Sequence, residues 1–174
     1  MERTRRKDPS KNLVECIVGD VRYAVTIGFV REIVNPLPTI PLPKAPAWVA
    51  GVADYRDEVV AVIDLRRRFG LLGAESTPRT KWVVVRKGGL SFALVVDAVT
   101  EVFRSGEMKP APPLADGAEV RALEAVTSHD GEMVFILDIG RIAELIDPSF
   151  VEAANAAPEV ESETPQTTPP RRLA

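Results

Sequence analysis

Aspartates that follow hydrophobic segments are the first candidates for chemistry in this sequence: Asp64, Asp97 and Asp138. Carboxylates of this kind bind Mg²⁺ where a fold makes them converge. A structural role is also open, because Asp64 and Asp138 each precede a short basic or amphipathic segment whose first backbone N–H groups an aspartate can cap. No second carboxylate lies at metal-ligand spacing beside any of the three. We therefore favour capping and predict no metal site.

The only histidine, His129, lies in a segment with the composition of a hairpin turn. Ser128, His129 and Asp130 are consecutive, and adjacent side chains point apart, so they cannot form a catalytic triad. The sequence contains no glycine-rich phosphate loop and no nucleophile-elbow motif. The single cysteine, Cys16, lies in the apolar run Leu13–Val18, which predicts a small buried side chain. We predict no catalytic residue, no cofactor and no enzymatic activity.

A proline-rich segment, Thr39–Trp48, has three prolines within six residues and cannot be a central strand. One interpretation is a polyproline II ligand for a small recognition module. The interpretation that we favour is an ordered crossing loop, in which Trp48 and Val49 anchor the chain before Gly51 turns it into the next strand.

Arg56 is the most distinctive charged residue, because acidic residues flank it and a strongly apolar strand follows it. It can pair locally with Asp54 or Glu58, and an exposed pair of that kind contributes only about 0–1 kcal/mol. It can equally anchor a partner protein at the rim of a groove. The residues alone leave both roles open.

The elements that must position these residues are short, β-branched apolar blocks separated by Gly, Pro and charge. No amphipathic helical pattern separates successive blocks, so a small barrel or sandwich is favoured over an α/β sheet. The fold is predicted to be mainly β. The predicted strands are Leu13–Val18, Tyr23–Ile27, Phe29–Val34, Val59–Ile63, Trp82–Val85, Ser91–Val96, Val99–Phe103, Ala122–Thr127 and Met133–Leu137.

An internal repeat relates the two halves of the chain. The segment from Tyr23 aligns without a gap on the segment from Phe92, and the segment from Val60 aligns on that from Val134, so the two offsets along the chain are nearly equal. We predict two copies of a β unit of about 70 residues, a first lobe over about residues 12–75 and a second over about 76–147, that meet along a groove suited to a partner.

Both ends of the sequence resemble tails. Residues 1–11 are polar and basic, and residues 148–174 are rich in Ala, Pro and Glu, so neither segment is expected to bury enough apolar surface to be ordered. A net charge of −3 and a pI near 5.3 argue against nucleic-acid binding. The sequence shows no signal peptide and no span of about 20 apolar residues. We predict a cytoplasmic protein without direct membrane insertion.

The order of these pieces resembles the CheW chemotaxis coupling proteins and the regulatory domain of the CheA kinase. The matching pieces are Gly19-Asp-x-x-Tyr-Ala-Val, Val30-x-Glu-Ile-Val, Ile40-Pro-x-Pro-x-Ala-Pro-x-Trp-Val-x-Gly-Val, Arg56, Val60-x-Val-Ile-Asp-Leu-Arg, Val95-Val-Asp-x-Val-x-Glu-Val and Leu137-Asp, within residues 12–147. The resemblance implies two SH3-like five-stranded β-barrel lobes with short helices. It also implies an adaptor that links the cytoplasmic tip of chemoreceptors to the regulatory domain of a CheA-type histidine kinase at membrane-associated receptor arrays.

The resemblance also assigns residues to these partners. It implies receptor contacts at Val30, Glu32, Arg56, Val96 and Val99. It implies kinase contacts in the loop that follows the first lobe's early strands, at Leu42, Pro43, Ala45 and Gly51.

The chain departs from the family pattern around Arg56. The family has Asn-Leu-Arg-Gly where this chain reads Asp54-Tyr55-Arg56-Asp57. Asp57 must therefore adopt a left-handed conformation or form a different turn. The added acidic residues are expected to hold Arg56 in a local pair or to alter receptor choice. The alternative function is thus a divergent CheW-like module that serves motility or another chemosensory pathway without standard receptor coupling.

Overall fold

The computed structural model describes residues 12–111 and 122–156. In these residues the strands are β1 (Asn12–Val18), β2 (Val21–Thr26), β3 (Val30–Val34), β4 (Val49–Tyr55), β5 (Glu58–Asp64), β6 (Lys81–Lys87), β7 (Leu90–Val96), β8 (Ala98–Arg104), β9 (Lys109–Pro110), β10 (Leu123–His129) and β11 (Glu132–Leu137). The helices are α1 (Leu65–Arg68), α2 (Ile139–Glu144) and α3 (Pro148–Ala156), with a 3-10 turn over Ile27–Phe29. The predicted tail over residues 1–11 and the end of the other, 157–174, lie outside the described residues.

Each predicted strand has a counterpart in the structure, and two further strands were not predicted. β4 was missed because it follows the proline-rich segment directly and contains Gly51, which suggested a turn. β9 has only two residues and pairs with Val126 and its neighbour on β10, so it carries no periodic pattern to detect. The mainly β fold class is confirmed.

The strands form one sheet of six strands in the order β8-β1-β2-β11-β10-β9 and another of five in the order β3-β6-β7-β5-β4. Apart from β9, which has no counterpart, the two orders become identical when β1, β2, β3, β4 and β5 are exchanged for β6, β7, β8, β10 and β11. The parallel pairings also correspond. β2 pairs with β11 in the six-stranded sheet, and β7 pairs with β5 in the five-stranded sheet. The internal sequence repeat therefore corresponds to two sheets that share the same order of strands.

The lobes are not the two sequential halves predicted from the repeat, 12–75 and 76–147. Each sheet takes a hairpin from one half and its other strands from the opposite half. The reason is the shortness of two connections: the 3-10 turn carries the chain from β2 to β3, and Asp97 alone separates β7 from β8. After each of these connections the chain enters the other sheet, so the consecutive strands β3–β7 form the five-stranded sheet as an insertion between β2 and β8 of the six-stranded sheet.

Apolar side chains fill three clusters because successive residues of a strand face opposite sides. The largest cluster lies between the sheets and contains Tyr23, Phe92 and Leu94. A second cluster, which includes Trp82 and Ala93, lies on the other face of the five-stranded sheet. A third, around Phe103, fills the corresponding face of the six-stranded sheet.

A short helix begins where the sequence predicts a tail. α3 covers Pro148–Ala156, and Phe150 packs against the cluster between the sheets. The Asp147 carboxylate accepts a hydrogen bond from the Ser149 backbone N–H at 2.9 Å, and this contact lowers the pKa of Asp147. In the described part of the chain, no helix has the length and apolar character needed to span a bilayer.

Candidate functional site

Arg56 lies at the tip of the β4–β5 hairpin, where the chain reverses through Arg56 and Asp57. Both residues have positive φ, 48° and 64°. A two-residue hairpin loop with positive φ at both central positions is the turn that best matches the twist of the flanking strands. Asp57 therefore adopts the left-handed conformation, the first of the two options open from the sequence.

The partner of Arg56 is Glu32 on β3. The guanidinium donates two hydrogen bonds to the carboxylate, from Nε to Oε2 and from Nη2 to Oε1, each 2.9 Å long. The Tyr55 hydroxyl donates to Oε2 of the same carboxylate at 2.5 Å. Arg56 therefore does not form the local pair with Asp54 or Glu58 that the sequence left open as one alternative. The planar guanidinium instead meets both oxygens of a carboxylate across the lobe.

These contacts change the ionisation of all three groups. The Arg56 guanidinium and then the Tyr55 hydroxyl lower the pKa of Glu32 from about 4.5 to about 2. The same carboxylate raises the pKa of Arg56. Burial, followed by the hydrogen bond to Glu32, raises the pKa of Tyr55. Glu32 and Arg56 thus remain a charged pair at neutral pH, and Arg56 is still 66% exposed.

A second ion pair extends this site. Arg31 donates to Glu58 at 2.8 Å and to the Ser91 hydroxyl at 3.1 Å. The guanidinium carbons of Arg31 and Arg56 lie 5.6 Å and 5.8 Å from the centre of the Tyr55 ring. We call Arg31, Glu32, Tyr55, Arg56 and Glu58 the edge cluster. Its outer groups are charged and accessible, whereas its base is the buried tyrosine.

The edge cluster joins strands from opposite ends of one sheet. β3 and β4 are the two outer strands of the five-stranded sheet, yet Glu32 and Tyr55 are in contact. Just beyond β3, Ile40 exchanges two backbone hydrogen bonds with Val52 of β4, at 2.8 and 2.9 Å. The sheet is therefore rolled until its outer strands meet. This curvature places the hairpin tip beside β3.

The predicted receptor residues do not all lie on one surface. Val30 and Val99 occupy equivalent positions at or near the starts of β3 and β8, and both are partly buried against the cluster between the sheets. Glu32 and Arg56 are in contact. Val96 is only 1% exposed and belongs to the buried cluster between the sheets. It cannot touch a partner in this conformation, so its implied contact role is corrected to a core role.

The predicted kinase residues divide in the same way. Pro43 is exposed, and Leu42 and Ala45 are partly exposed in the loop before β4. Gly51 is buried, has φ +146°, and a Cβ there would lie 2.1 Å from the Ile40 carbonyl oxygen. Its role is to let two backbone segments approach. A partner contact by Gly51 is therefore corrected to a structural function.

The proline-rich segment is an ordered crossing loop, as we favoured. Its Pro46 carbonyl accepts from the Val49 N–H at 2.9 Å, and the Trp48 carbonyl accepts from the Asp64 N–H at 2.8 Å. The Arg68 guanidinium carbon lies 5.3 Å from the centre of the Trp48 ring. Such contacts fix the loop on the lobe rather than leaving it as a free ligand.

The remaining candidates for chemistry have structural roles. Asp64 and Asp138 cap α1 and α2, accepting from the backbone N–H groups of the third helical residues at 3.3 and 3.0 Å. Asp97 accepts from the Gly19 N–H at 2.7 Å and pairs with Arg66 at 2.5 Å. Burial, together with the nearby Glu15 carboxylate, raises the pKa of Cys16 to about 12. At neutral pH the thiol is protonated and unreactive.

Exposed apolar side chains near the edge cluster were missed by the sequence reasoning. Ile33 on β3 is 38% exposed, and Ile40 is 68% exposed beside the crossing loop. Strand alternation could have placed Ile33 only with Arg31, on the side of β3 opposite Glu32, because successive residues of a strand face opposite sides. Nothing in the sequence marks Ile40, whose exposure follows from its pairing with Val52.

The fold and this site define a class of protein. It is a two-lobed β module that carries an accessible charged cluster with apolar neighbours at one lobe edge, an arrangement that suits the binding of another protein.

Comparisons with known proteins identify the family. A family model described as CheW-like domain matches residues 12–147. The chain is 31% identical to the chemotaxis protein CheW of Rhizobium meliloti over 134 residues, covering 76% of this chain and 86% of that protein. It is 34% identical to the chemotaxis protein CheW of Helicobacter pylori, covering 77% and 80%. A solved structure of the scaffolding protein TtCheW from Thermoanaerobacter tengcongensis superposes with a TM-score of 0.69 at 26% identity, covering 75% and 90%.

The chain therefore belongs to the CheW-like domain family. Within that family it is a chemotaxis adaptor and not an enzyme.

Proposed function

We propose that this chain couples the cytoplasmic tip of a methyl-accepting chemoreceptor to the regulatory domain of a CheA-type histidine kinase, within membrane-associated receptor arrays. The observation that carries the receptor half of the proposal is the Glu32–Arg56 pair, which is fixed by three hydrogen bonds and still accessible. A rigid, exposed arginine beside apolar side chains is a common anchor in protein interfaces.

The proposed receptor surface consists of Val30, Glu32, Arg56 and Val99. Ile33 is an exposed apolar residue on the same strand, β3. Val30 and Val99 contribute partly buried apolar area, and the charged pair contributes directional hydrogen bonding. A receptor helix with an apolar stripe flanked by a carboxylate would contact both the apolar area and the charged pair.

The receptor surface is tested by Arg56→Ala, with Arg79→Ala as the matched control because Arg79 is an exposed arginine in the turn before β6 and is not part of the edge cluster. Calorimetry with a receptor tip fragment should show affinity weakened by about tenfold or more for Arg56→Ala and unchanged for the control. Equal affinities for wild type and Arg56→Ala would contradict the proposal. That result, with kinase binding retained, would favour the divergent module acting without standard receptor coupling.

The proposed kinase surface is the exposed part of the crossing loop, Leu42, Pro43 and Ala45. This loop is held on the lobe by backbone hydrogen bonds, so a partner would meet it with little loss of conformational freedom. Pro43→Glu places a charge on the exposed loop, and we expect it to weaken binding of the kinase regulatory domain while receptor binding is preserved. Loss of both interactions together would contradict the assignment of separate surfaces.

A further inference from the structure

The β10–β11 hairpin tip brings together three metal-ligating side chains: Glu101 of β8, His129 at the end of β10 and Asp130 in the turn. His129 Nε2 lies 3.0 Å from Glu101 Oε1 and 3.6 Å from Asp130 Oδ2. One ligand atom from each residue lies within 4.8 Å of the others. In tetrahedral zinc sites with bonds near 2.05 Å, neighbouring ligand atoms are about 3.3 Å apart. These three side chains, which we call the tip cluster, therefore have spacings close to those of a coordination sphere.

The tip cluster is held in place by its surroundings. The His129 ring stacks on Phe103, with centroids 3.9 Å apart and an angle of 16° between the rings, and its side chain is only 20% exposed. Asp130 has φ 49° in a two-residue turn with Gly131. The imidazole and one carboxylate are therefore oriented by packing and by the turn before any ion binds.

The internal repeat shows how the lobe of the five-stranded sheet balances charge at the equivalent position. Glu101 and His129 correspond to Glu32 and Tyr55, and both pairs are hydrogen-bonded. The residue that follows Tyr55 is Arg56, and its guanidinium neutralises the glutamate.

In the lobe of the six-stranded sheet the residue that follows is Asp130, so a second carboxylate stands where the other lobe has a cation. Among the described residues, no Arg or Lys forms an ion pair with Glu101 or Asp130, and the nearby Glu132 is paired with Arg22. The tip cluster thus has two carboxylates and an imidazole but lacks the cation that its counterpart contains.

We propose that the tip cluster binds a divalent first-row transition-metal ion, with Glu101, His129 and Asp130 as its protein ligands. One imidazole with two carboxylates suits Zn²⁺, and water would occupy the remaining positions. The ion would hold β8 to the β10–β11 hairpin, as the Glu32–Arg56 pair holds β3 to the β4–β5 hairpin. None of its three residues belongs to the proposed receptor or kinase surfaces, and Glu101 lies two residues from Val99 on β8.

Titration of the full, metal-free chain with ZnCl₂ tests this proposal. We expect one site whose affinity falls at least tenfold in His129→Gln and in Asp130→Asn. Asparagine tolerates the left-handed conformation at position 130, so the second variant keeps the turn if the first disturbs packing against Phe103. Glu144→Gln, on the exposed face of α2, is the matched control and should bind like wild type.

A spectroscopic measurement identifies the ligands directly. Co²⁺ added to the wild-type chain should produce visible absorption that is absent from both variants, each shown to be folded by circular dichroism. Zn²⁺ binding that is undetectable in the wild type, or that survives both substitutions unchanged, would overturn the proposal. In either case the histidine and glutamate form a simple hydrogen bond.

Discussion

At the scale of single residues, Asp57 has a backbone conformation that carries a cost in stability. Asp57 has φ 64° at the second position of the turn, where the β10–β11 hairpin has Gly131 with φ 77°. Glycine adopts this conformation without the steric cost that a Cβ brings. The β4–β5 hairpin therefore keeps an acidic residue at a small expense in stability.

Exchange of residues between the two turns tests this interpretation. Asp57→Gly should raise the free energy of unfolding by about 0.5–1 kcal/mol, and Gly131→Asp should lower it by a similar amount. A Cβ at position 131 meets no atom within 4 Å, so the loss there comes from the backbone conformation and from repulsion between the added carboxylate and Asp130. Urea denaturation measures both. A destabilising Asp57→Gly would show that the Asp57 side chain makes a contribution other than its backbone conformation.

Glu32 predicts a pH dependence of stability. Its pKa is lowered in the folded chain from about 4.5 to about 2, so the unfolded state binds the proton more tightly. The stabilisation is therefore complete above the unfolded pKa and is lost as the pH falls from about 4.5 towards 2.

The comparison of wild type with Glu32→Gln isolates this effect. The difference in urea midpoint between the two should be constant above about pH 5.5 and should shrink as the pH falls below about 4.5. Glu124→Gln, an exposed substitution on β10, serves as the control. A difference that stays constant down to about pH 3 would mean that Glu32 has an ordinary pKa.

At the scale of elements, β4 shows what local sequence cannot reveal. Only Val49, Val52 and Tyr55 of its seven residues favour strands, and Gly51 with the preceding prolines indicates a turn when read locally. The structure uses Gly51 inside the strand because the Ile40 backbone crosses against it. That contact joins two separate segments of the chain, and no propensity or periodicity encodes it.

Gly51→Ala is therefore expected to destabilise the chain. The added Cβ would lie 2.1 Å from the Ile40 carbonyl oxygen and 2.7 Å from its carbon, so one of the two backbone segments must move. We expect a loss of about 2–3 kcal/mol in the free energy of unfolding. Gly28→Ala is the matched control, since its Cβ would meet no atom within 4 Å. Equal stability of the two variants would contradict the close crossing.

The caps were predictable because their signal is local. Asp64 and Asp138 occupy equivalent positions of the repeat, and each accepts a hydrogen bond from the N–H three residues ahead. The Glu32–Arg56 pair was not predictable as a pair, because it joins β3 to the β4–β5 hairpin across a rolled sheet. The resemblance supplied both residues but not their contact.

At the scale of the whole molecule, the sequence repeat predicted two similar β lobes, and the structure has two sheets of matching topology. The assignment of strands to each lobe was not predictable from the repeat. Two nearly equal offsets, from Tyr23 to Phe92 and from Val60 to Val134, fit either two sequential lobes or one lobe inserted within the other. The choice depends on where the chain goes after β2 and β7. Both sheets contribute side chains to the largest apolar cluster, so unfolding of one sheet exposes apolar surface of the other.

We therefore expect the two lobes to unfold together. Trp48 precedes β4, whereas Trp82 lies on β6 and packs inside the five-stranded sheet. His129, on the other sheet, offers a separate reporter by NMR. Unfolding curves from tryptophan fluorescence and from the His129 resonance should coincide. Separated midpoints would show that the sheets behave as independent units.

The central claim is that this chain bridges two partners through different surfaces, and a three-component sedimentation experiment tests it most directly. The kinase regulatory domain should sediment with receptor tips presented on vesicles only when this chain is present. The kinase domain should no longer sediment with the vesicles when the chain carries Arg56→Ala or Pro43→Glu. It should still sediment with them when the chain carries Arg79→Ala. Two results would contradict the claim. One is that the kinase domain sediments equally with and without this chain, and the other is that neither substitution reduces its sedimentation.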